Sequence, residues 1–304
     1  MIKIYKEGKE VSTDDLSFCW IDMSNPSAEE QEYVVNKWQL PRDFITDSLD
    51  PDERSRIEIY GEYTFFIIRI PIKNKSSTPP FITLPIGIIL KNNMIITICA
   101  YEKIVYDYFI SNISSNNLSY PDLILLIFRR ISLKYLYFLR NIQRMIGEAE
   151  NKLRSSMRNE ELITLLNLEK SLLYFTTSLR SNELMLERLT KTKFWHLLSG
   201  NEDLFNDVLI DNKQALEMAN IYNNILSGMM DAFASIISNN LNIVMKFLTS
   251  VTIILMIPTL VASFYGMNVS LPFQNSPHAF LITIIISAVF SAIATWIFYH
   301  QKWF

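Results

Sequence analysis

The sequence predicts an α+β cytosolic domain with long helices, followed by two C-terminal transmembrane helices. Two apolar runs, residues 247–264 and 279–299, contain no Asp, Glu, Lys or Arg. Each run has about the length that a helix needs to cross a hydrocarbon core of roughly 30 Å. The preceding 1–246 stretch mixes charged and apolar residues and is long enough for an ordinary core. Strand-like patterns occupy the first part of that stretch, and helical patterns occupy the rest.

The N-terminal part, residues 1–110, is predicted to be an α/β domain. Runs rich in β-branched and aromatic residues predict strands over 1–5, 18–23, 55–60, 63–72, 82–90 and 94–100. The polar segment from Ser24 to Glu30 is typical of a capped helix start, and a second short helix is expected over 41–49. Cys19 and Cys99 both lie in predicted strands. Because a cytosolic domain with two thiols rarely forms a disulfide, we expect both cysteines to be free and buried.

Long helices follow. Apolar residues recur every three or four positions over 122–157 and 160–193 without an internal proline, which predicts two antiparallel helices. A third helix is expected to begin near Asn201, where acidic residues follow a capping side chain. It continues through the first apolar run and is interrupted only by Pro258.

Basic residues predict the topology. Lys246 precedes the first apolar run and Lys302 follows the second, whereas residues 269–279 contain neither Lys nor Arg. Positive charges remain on the cytoplasmic side, so both termini are expected inside the cell. The alternating start of the chain lacks a basic segment followed by an apolar block, which also favours the cytosol. The predicted order is a cytosolic α/β domain (1–110), long antiparallel cytosolic helices (111–200), a stalk helix continuing into the first span (201–264), an external loop (265–278), the second span (279–299) and a cytosolic tail (300–304).

One face of the first span carries a polar stripe. Its members follow a three–four spacing typical of helices packed around a shared axis: Asn242, Met245, Thr249, Thr252, Met256, Thr259 and Ser263. Two interpretations remain open from these residues alone. The hydroxyls either bond to their own helix and hold neighbouring helices together, or they line a pore. Two spans cannot enclose a pore, so the second interpretation requires a homo-oligomer.

The chemistry of the stripe suits Mg²⁺. This ion dehydrates reluctantly and usually keeps several waters. Neutral oxygens can hydrogen-bond to those waters without holding the ion too tightly to leave. Inward movement of a divalent cation gains about 4.6 kcal/mol per 100 mV of membrane potential. The membrane potential can therefore drive uptake without an ATP-binding loop.

With these features in place, the chain resembles the CorA family of magnesium transporters. The resemblance covers the whole architecture and rests most specifically on Tyr265, Gly266, Met267 and Asn268, which directly follow the first span. Family-like segments also occur at 50–54, 56–58 and 242–246.

The resemblance implies a funnel-shaped homopentamer in which the first span lines the pore. Asn268 would form an outer ring that receives hydrated Mg²⁺, and Gly266 would allow a tight loop beside Met267. The positions that match pore-lining or gating residues of the family are Asn242, Met245, Leu248, Thr249, Thr252, Met256, Thr259 and Ser263. Met245 and Leu248 correspond to a hydrophobic constriction, and Asn242 and Met256 correspond to narrow rings.

Three acidic residues near the start of the third helix are a candidate regulatory site. Asp203, Asp207 and Asp211 are four residues apart and share one helix face, where like charges are slightly destabilising unless a cation neutralises them. A solvated helix start explains the same residues, because acids favour the helix dipole there. The resemblance implies that Asp207 helps to sense cytosolic Mg²⁺ between subunits, and Asp211 and Asp203 are weaker candidates for the same role.

Other functions fit less well. Transport of Co²⁺, Ni²⁺ or Zn²⁺ is the nearest alternative, although selective zinc binding favours Cys or His, and the stripe contains neither. A membrane-anchored coiled-coil scaffold would explain the helices but not the polar stripe. The net charge of −3 argues against nucleic acid as a partner, and no phosphate-binding loop or catalytic motif indicates an enzyme.

Overall fold

The computed structural model describes residues 2–6, 9–10, 19–74, 78–91, 94–101, 120–156, 159–192, 194–195, 201–273 and 276–303. The chain forms two compact units, Met1–Ser227 and Gly228–Phe304. The first unit contains the sheet and the two long helices that the sequence predicts before the first apolar run. The second contains the two apolar helices.

A seven-stranded sheet organises the first unit. Its strands are β1 (Ile2–Lys6), β2 (Lys9–Glu10), β3 (Cys19–Ser24), β4 (Arg56–Tyr60), β5 (Tyr63–Lys73), β6 (Phe81–Lys91) and β7 (Met94–Cys99). The spatial order is β2-β1-β3-β7-β6-β5-β4, and only the β3–β7 pair among these strands is parallel. The predicted strands are confirmed, and β2 is a short addition that the sequence did not indicate. Both cysteines are buried and free, as expected.

Two short helices cover one face of the sheet. Helix α1 (Ala28–Trp38) begins with a capping box in which Ser27 and Glu30 exchange hydrogen bonds. Helix α2 (Arg42–Leu49) follows, and its Phe44 stacks on Phe65 of β5 with ring centroids 4.1 Å apart. These contacts belong to a core cluster of buried hydrophobic side chains, because neighbouring strands direct alternate side chains to this face.

Two long helices cover the opposite face. Helix α3 (Tyr120–Ser156) and helix α4 (Asn159–Leu189) agree with the two predicted helices, although α3 begins two residues earlier than expected. Two aromatic pairs join the sheet to α3. The ring centroids of Phe66 and Phe128 are 5.8 Å apart, and those of Phe81 and Phe138 are 4.9 Å apart. The ring centroid of Phe138 also lies 6.5 Å from that of Phe175 of α4. The predicted turn between the helices includes Met157 and Arg158, which are outside the described residues.

Arg69 of β5 joins the sheet to α4 and to the loop before β4. Its guanidinium donates hydrogen bonds to the carbonyl oxygens of Pro51 (2.8 Å) and Thr83 (3.0 Å) and to Ser178 Oγ (3.0 Å). Asn182 of α4 bonds to both the backbone N–H and the backbone carbonyl of Arg69, each at 3.0 Å. Burial lowers the pKa of the Arg69 guanidinium, and these acceptors replace the water that it loses. The family-like segment 50–54 is therefore held in place by Arg69.

Helix α5 (Glu202–Tyr265) is one continuous element of 64 residues and contains Pro258. It begins in the first unit and ends in the second, as the sequence predicts for a stalk that continues into a span. Helix α6 (Ala279–His300) completes the second unit. Both helices are long and apolar enough to cross a membrane, with best-window mean hydropathies of 2.1 and 2.3.

Candidate ion pathway and acidic site

The polar stripe of α5 lies on a helix face that is exposed in the single chain. Among its members, Met245 and Met256 are 59% and 62% exposed, and the other stripe residues are exposed as well. Ser250 and Val261, by contrast, are buried. Because successive residues of a helix are rotated by about 100°, the buried residues lie roughly opposite the stripe.

Helix α6 packs against the buried face of α5. Ser291 Oγ of α6 donates a hydrogen bond to the carbonyl oxygen of Ile254 at 3.5 Å. Ile257 and Val261 of α5 line an apolar groove of about 600 Å³ together with Ile286 and other residues of α6. The stripe therefore points away from the second span of its own chain, and it does not hold these two helices together.

Two of the stripe hydroxyls bond to their own helix. Thr252 Oγ1 donates to the carbonyl oxygen of Leu248 at 2.8 Å, and Thr259 Oγ1 donates to that of Leu255 at 3.5 Å. A hydroxyl has one proton and two acceptor lone pairs, so a proton donated to the helix leaves the oxygen as an acceptor toward the exposed side. Water bound to a cation presents protons. The observed bonding therefore makes these threonines suitable partners for a hydrated ion, and back-bonding and pore lining are compatible.

The stripe begins earlier than Asn242. Asp231, Ser235 and Ser238 precede it with the same four–three spacing, and all three are exposed. Ser235 Oγ donates to the carbonyl oxygen of Asp231 at 3.1 Å. Asp231 supplies the single carboxylate side chain of the sequence from 228 to 304. The four–three spacing alone could have revealed this extension, because Asp231, Ser235 and Ser238 continue the pattern on the N-terminal side of Asn242.

The Gly-Met-Asn segment forms the turn that ends α5. Backbone N–H groups of Gly266 and Met267 donate to the carbonyl oxygens of Ala262 (2.9 Å) and Phe264 (3.1 Å), and Asn268 is exposed. A Cβ added at Gly266 would meet the carbonyl oxygen of Ala262 at 3.4 Å, which is an ordinary contact, and φ of Gly266 lies outside the left-handed region. The turn of a single chain therefore has room for a Cβ at this position, and the role of Gly266 in a tight loop stays a prediction.

The acidic face of α5 is paired with Arg129 of α3. Arg129 Nη2 lies 3.0 Å from Asp207 Oδ2, and Arg129 Nε lies 3.5 Å from Asp211 Oδ2. Asp203 makes no ion pair with any residue that the structure describes. Two of the three predicted acids are therefore brought together by a cationic side chain that the sequence did not indicate, since α3 and α5 are far apart along the chain.

Within one chain, the residues that the structure describes do not complete a metal site on the acidic face. Over the described ranges, no group of three or more His, Cys, Asp or Glu side chains is placed to hold a metal ion. Carboxylate oxygens suit Mg²⁺, but a site that uses Asp207 and Asp211 needs additional oxygens.

Comparison with known proteins identifies relatives that share this architecture. Residues 15–300 match the family described as CorA-like Mg²⁺ transporter protein. The cobalt/magnesium transport protein CorA of Methanocaldococcus jannaschii is 28% identical over 319 aligned residues, which cover 100% of this chain and 99% of that protein. The magnesium transport protein CorA of Helicobacter pylori is 22% identical over 305 residues, covering 93% of this chain and 89% of that protein.

A solved structure gives the same result. The complete structure of the CorA magnesium transporter from Methanocaldococcus jannaschii superimposes with a TM-score of 0.83 and 28% identity, covering 97% of this chain and 94% of that one. Its likeness extends over both the sheet-containing unit and the pair of apolar helices. Together with the match over residues 15–300, it shows that this chain is a membrane protein of the CorA-like Mg²⁺ transporter family.

Proposed function

We propose that this chain forms a membrane channel for divalent cations, with Mg²⁺ as the main substrate and the membrane potential as the driving force. The observation that carries the proposal is the exposed polar stripe, which lies opposite the face that packs on α6. A helix surrounded by lipid gains nothing from collecting hydroxyl groups on one exposed face. The stripe therefore faces other copies of the same helix and water between them.

Several chains are needed to enclose such a path. The CorA resemblance supports a homopentamer, funnel-shaped, with five copies of α5 around the axis. In this arrangement Asn268 forms the outer ring beside Gly266 and Met267. The remaining pore residues follow in sequence toward the cytosol: Ser263, Thr259, Met256, Thr252, Thr249, Leu248, Met245 and Asn242. Asp231 adds a ring of carboxylates beyond the inner end, where negative charge raises the local concentration of cations.

The lining supports passage of a hydrated ion. Threonine oxygens whose protons are already donated to the helix accept hydrogen bonds from the waters of Mg²⁺. These neutral contacts orient the hydrated ion but do not replace its tightly held inner waters. Met245 and Leu248 present apolar groups at the inner constriction, and such a ring can close a pore by excluding water.

Gating is proposed to depend on cytosolic Mg²⁺. Asp207, supported by Asp211 and more weakly by Asp203, would bind the ion at the boundary between neighbouring subunits. Bound Mg²⁺ would hold the subunits together and keep the pore closed. In the proposed arrangement, the protein lies in the cell membrane with both termini on the cytoplasmic side.

Flux through the purified protein tests the proposal. Full-length protein in lipid vesicles is expected to admit Mg²⁺ when a potassium diffusion potential makes the lumen negative. Asn268→Ala is expected to lower the initial rate at least about tenfold, because all copies lose a hydrogen-bonding side chain at once. Ser270→Ala, two residues away and also exposed, is the matched control and should retain the rate. Normal flux through the Asn268→Ala protein would refute the outer ring.

A competition assay addresses the second candidate substrate. The Methanocaldococcus relative is named a cobalt/magnesium transport protein, which supports Co²⁺ as an alternative substrate. Adding Co²⁺ or Ni²⁺ to the Mg²⁺ assay measures whether each ion competes for the same path. A preparation that carries none of these ions would favour a membrane-anchored scaffold over a channel.

A further inference from the structure

Arg129 spans the two carboxylates of the proposed sensor. Its guanidinium reaches Asp207 through Nη2 at 3.0 Å and Asp211 through Nε at 3.5 Å. These acids are one helical turn apart on α5, whereas Arg129 lies on α3. The planar guanidinium is suited to this arrangement because its donors are held in a fixed fork that can serve two carboxylates. The arginine therefore neutralises the acidic face from a different helix.

The contact is incomplete on the Asp211 side. Arg129 Nε and Asp211 Oδ2 are both buried, and neither has a hydrogen bond within the part of the chain that the structure describes. Their 3.5 Å separation gives charge attraction without a well-formed hydrogen bond. A buried carboxylate oxygen without a donor is costly. A better-placed cation or hydrogen-bond donor would therefore stabilise the Asp211 carboxylate.

A divalent cation and the guanidinium compete for this position. Both are attracted to the same two carboxylates, and two cations held there would repel each other. Occupation by Mg²⁺ therefore requires that Arg129 moves away. The energy lost from the ion pairs is subtracted from the energy of Mg²⁺ binding, so the arginine weakens the apparent affinity of the sensor.

We propose that Arg129 is a built-in competitor of the regulatory cation and sets the cytosolic Mg²⁺ concentration at which the pore closes. This inference rests on the proposed sensor role of Asp207. In the absence of Mg²⁺, Arg129 pairs with the acids and joins α3 to α5 within one chain. As cytosolic Mg²⁺ rises, the ion displaces the guanidinium and takes over the acids.

The decisive variant is Arg129→Gln. Removing the competing charge is expected to lower the half-inhibitory Mg²⁺ concentration roughly fivefold, a shift that corresponds to the loss of a partly exposed ion pair. A merely structural arginine would give the opposite result, because a loosened site binds Mg²⁺ less well. Arg129→Lys keeps the charge without the fork and is expected to shift the concentration less, in the same direction. Arg140→Gln removes an equal charge from an exposed position on the same helix and serves as the matched control.

Two measurements on full-length protein test the inference. The first is the initial rate of radioactive Mg²⁺ influx into vesicles in which the N-terminal region of the protein faces the lumen. The lumen is loaded with a series of Mg²⁺ concentrations. The second is the Mg²⁺ concentration that half-maximally raises the melting temperature of the detergent-solubilised protein, which does not depend on transport. In an Asp207→Asn background, Arg129→Gln should cause no further change in the Mg²⁺ dependence of the influx rate or of the melting temperature. The reason is that Asp207→Asn already removes the competition.

The outcomes separate the inference from the proposed function. A lower half-inhibitory concentration in Arg129→Gln, with Arg140→Gln unchanged, supports the competition. If Asp207→Asn abolishes inhibition but Arg129→Gln leaves both concentrations unchanged, the sensor stands and the competition is refuted. If neither the wild-type protein nor Asp207→Asn responds to lumenal Mg²⁺, the sensor role and the competition are both refuted. The proposal that the protein transports Mg²⁺ is not affected by this outcome.

Discussion

At the scale of single residues, Gly87 shows how closely α2 packs on the sheet. A Cβ added at this position of β6 would lie 1.8 Å from Ser48 Oγ and 2.6 Å from Ser48 Cβ. Ser48 is fully buried and donates its hydroxyl proton to the carbonyl oxygen of Phe44, so it cannot easily move aside. The absence of a side chain at Gly87 is therefore a packing requirement of the first unit.

Gly87→Ala is expected to destabilise the protein by about 1–3 kcal/mol, the usual cost of overpacking a core. Thermal or denaturant unfolding of the full-length protein in detergent measures the change. Gly147→Ala is the control, since nothing lies within 4 Å of its added Cβ. This control should be neutral or slightly stabilising, because alanine favours a helix by up to about 1 kcal/mol over glycine. Equal stabilities of the two variants would contradict the tight contact between Gly87 and Ser48.

Residue-level predictions from sequence succeeded where the signal is local. The capped start of α1 depends on a few neighbouring residues, and the structure confirms it. The two buried free cysteines, expected from the cysteine count and the strand patterns around them, are confirmed as well. Arg129 was missed because its partners lie on another helix, and one charge on an amphipathic helix carries no information about distant contacts. The role of Asn268 at the outer ring and the role of Asp207 in sensing Mg²⁺ remain predictions that come from the family resemblance.

At the scale of elements, helix periodicity predicted which face of α5 is polar but not what the opposite face contacts. A three–four pattern fixes the angle between side chains on one helix. It does not say whether an apolar face meets lipid or a neighbouring helix, since both are apolar environments. The structure adds this information through the buried Ser250 and Val261 and through the bond from Ser291.

The sheet shows the same division between local and distant information. Runs rich in β-branched and aromatic residues predicted β5 and β6 as strands, because that signal lies within each segment. The parallel pairing of β3 with β7 joins segments that are separated along the chain by α1, α2 and the three strands β4, β5 and β6. Many strand orders are compatible with the same set of strands, so the sequence pattern did not select this one.

The stripe hydroxyls give a prediction at the element scale. Replacing both Thr252 and Thr259 by Val keeps the side-chain shape but removes two acceptors from each chain. Mg²⁺ flux in vesicles is expected to fall roughly fivefold, equivalent to about one net hydrogen bond of stabilisation for the passing ion. Thr295→Val is the matched control, because Thr295 of α6 donates to its own helix in the same way, to the carbonyl oxygen of Ser291 at 2.7 Å. If the control reduced flux as strongly as the stripe variant, the hydroxyls of α5 would have no special role.

At the scale of the whole molecule, the second unit is incomplete as a single chain in water. Phe280, Leu255 and Trp296 are among many large apolar side chains that it exposes. Lipid can cover apolar side chains, but it cannot satisfy the polar stripe on the same pair of helices. The two kinds of exposed surface therefore call for two kinds of neighbour: lipid on one side and further copies of α5 on the other.

Disulfide trapping tests this arrangement at Met245, where the proposed constriction brings the copies closest together. Cysteines form a disulfide only when their Cβ atoms approach within about 4.5 Å. The native cysteines, Cys19 and Cys99, are buried, so the background should be low. When membranes that contain the Met245→Cys protein are treated with an oxidant, covalent dimers are expected on non-reducing gels. Native mass spectrometry of the reduced protein should then show five copies of the 35.4 kDa chain.

Val244→Cys supplies the control for this prediction. Val244 is as exposed as Met245, at 60% and 59%, and lies at nearly the same height along α5, but it is rotated by about 100° around the helix. Exposure and depth in the membrane are thus matched, and only direction differs. If the stripe faces a common axis, Met245→Cys cross-links much faster than Val244→Cys. Equal rates would mean that the copies of α5 do not meet along the stripe, and the pore would have to be formed by another face.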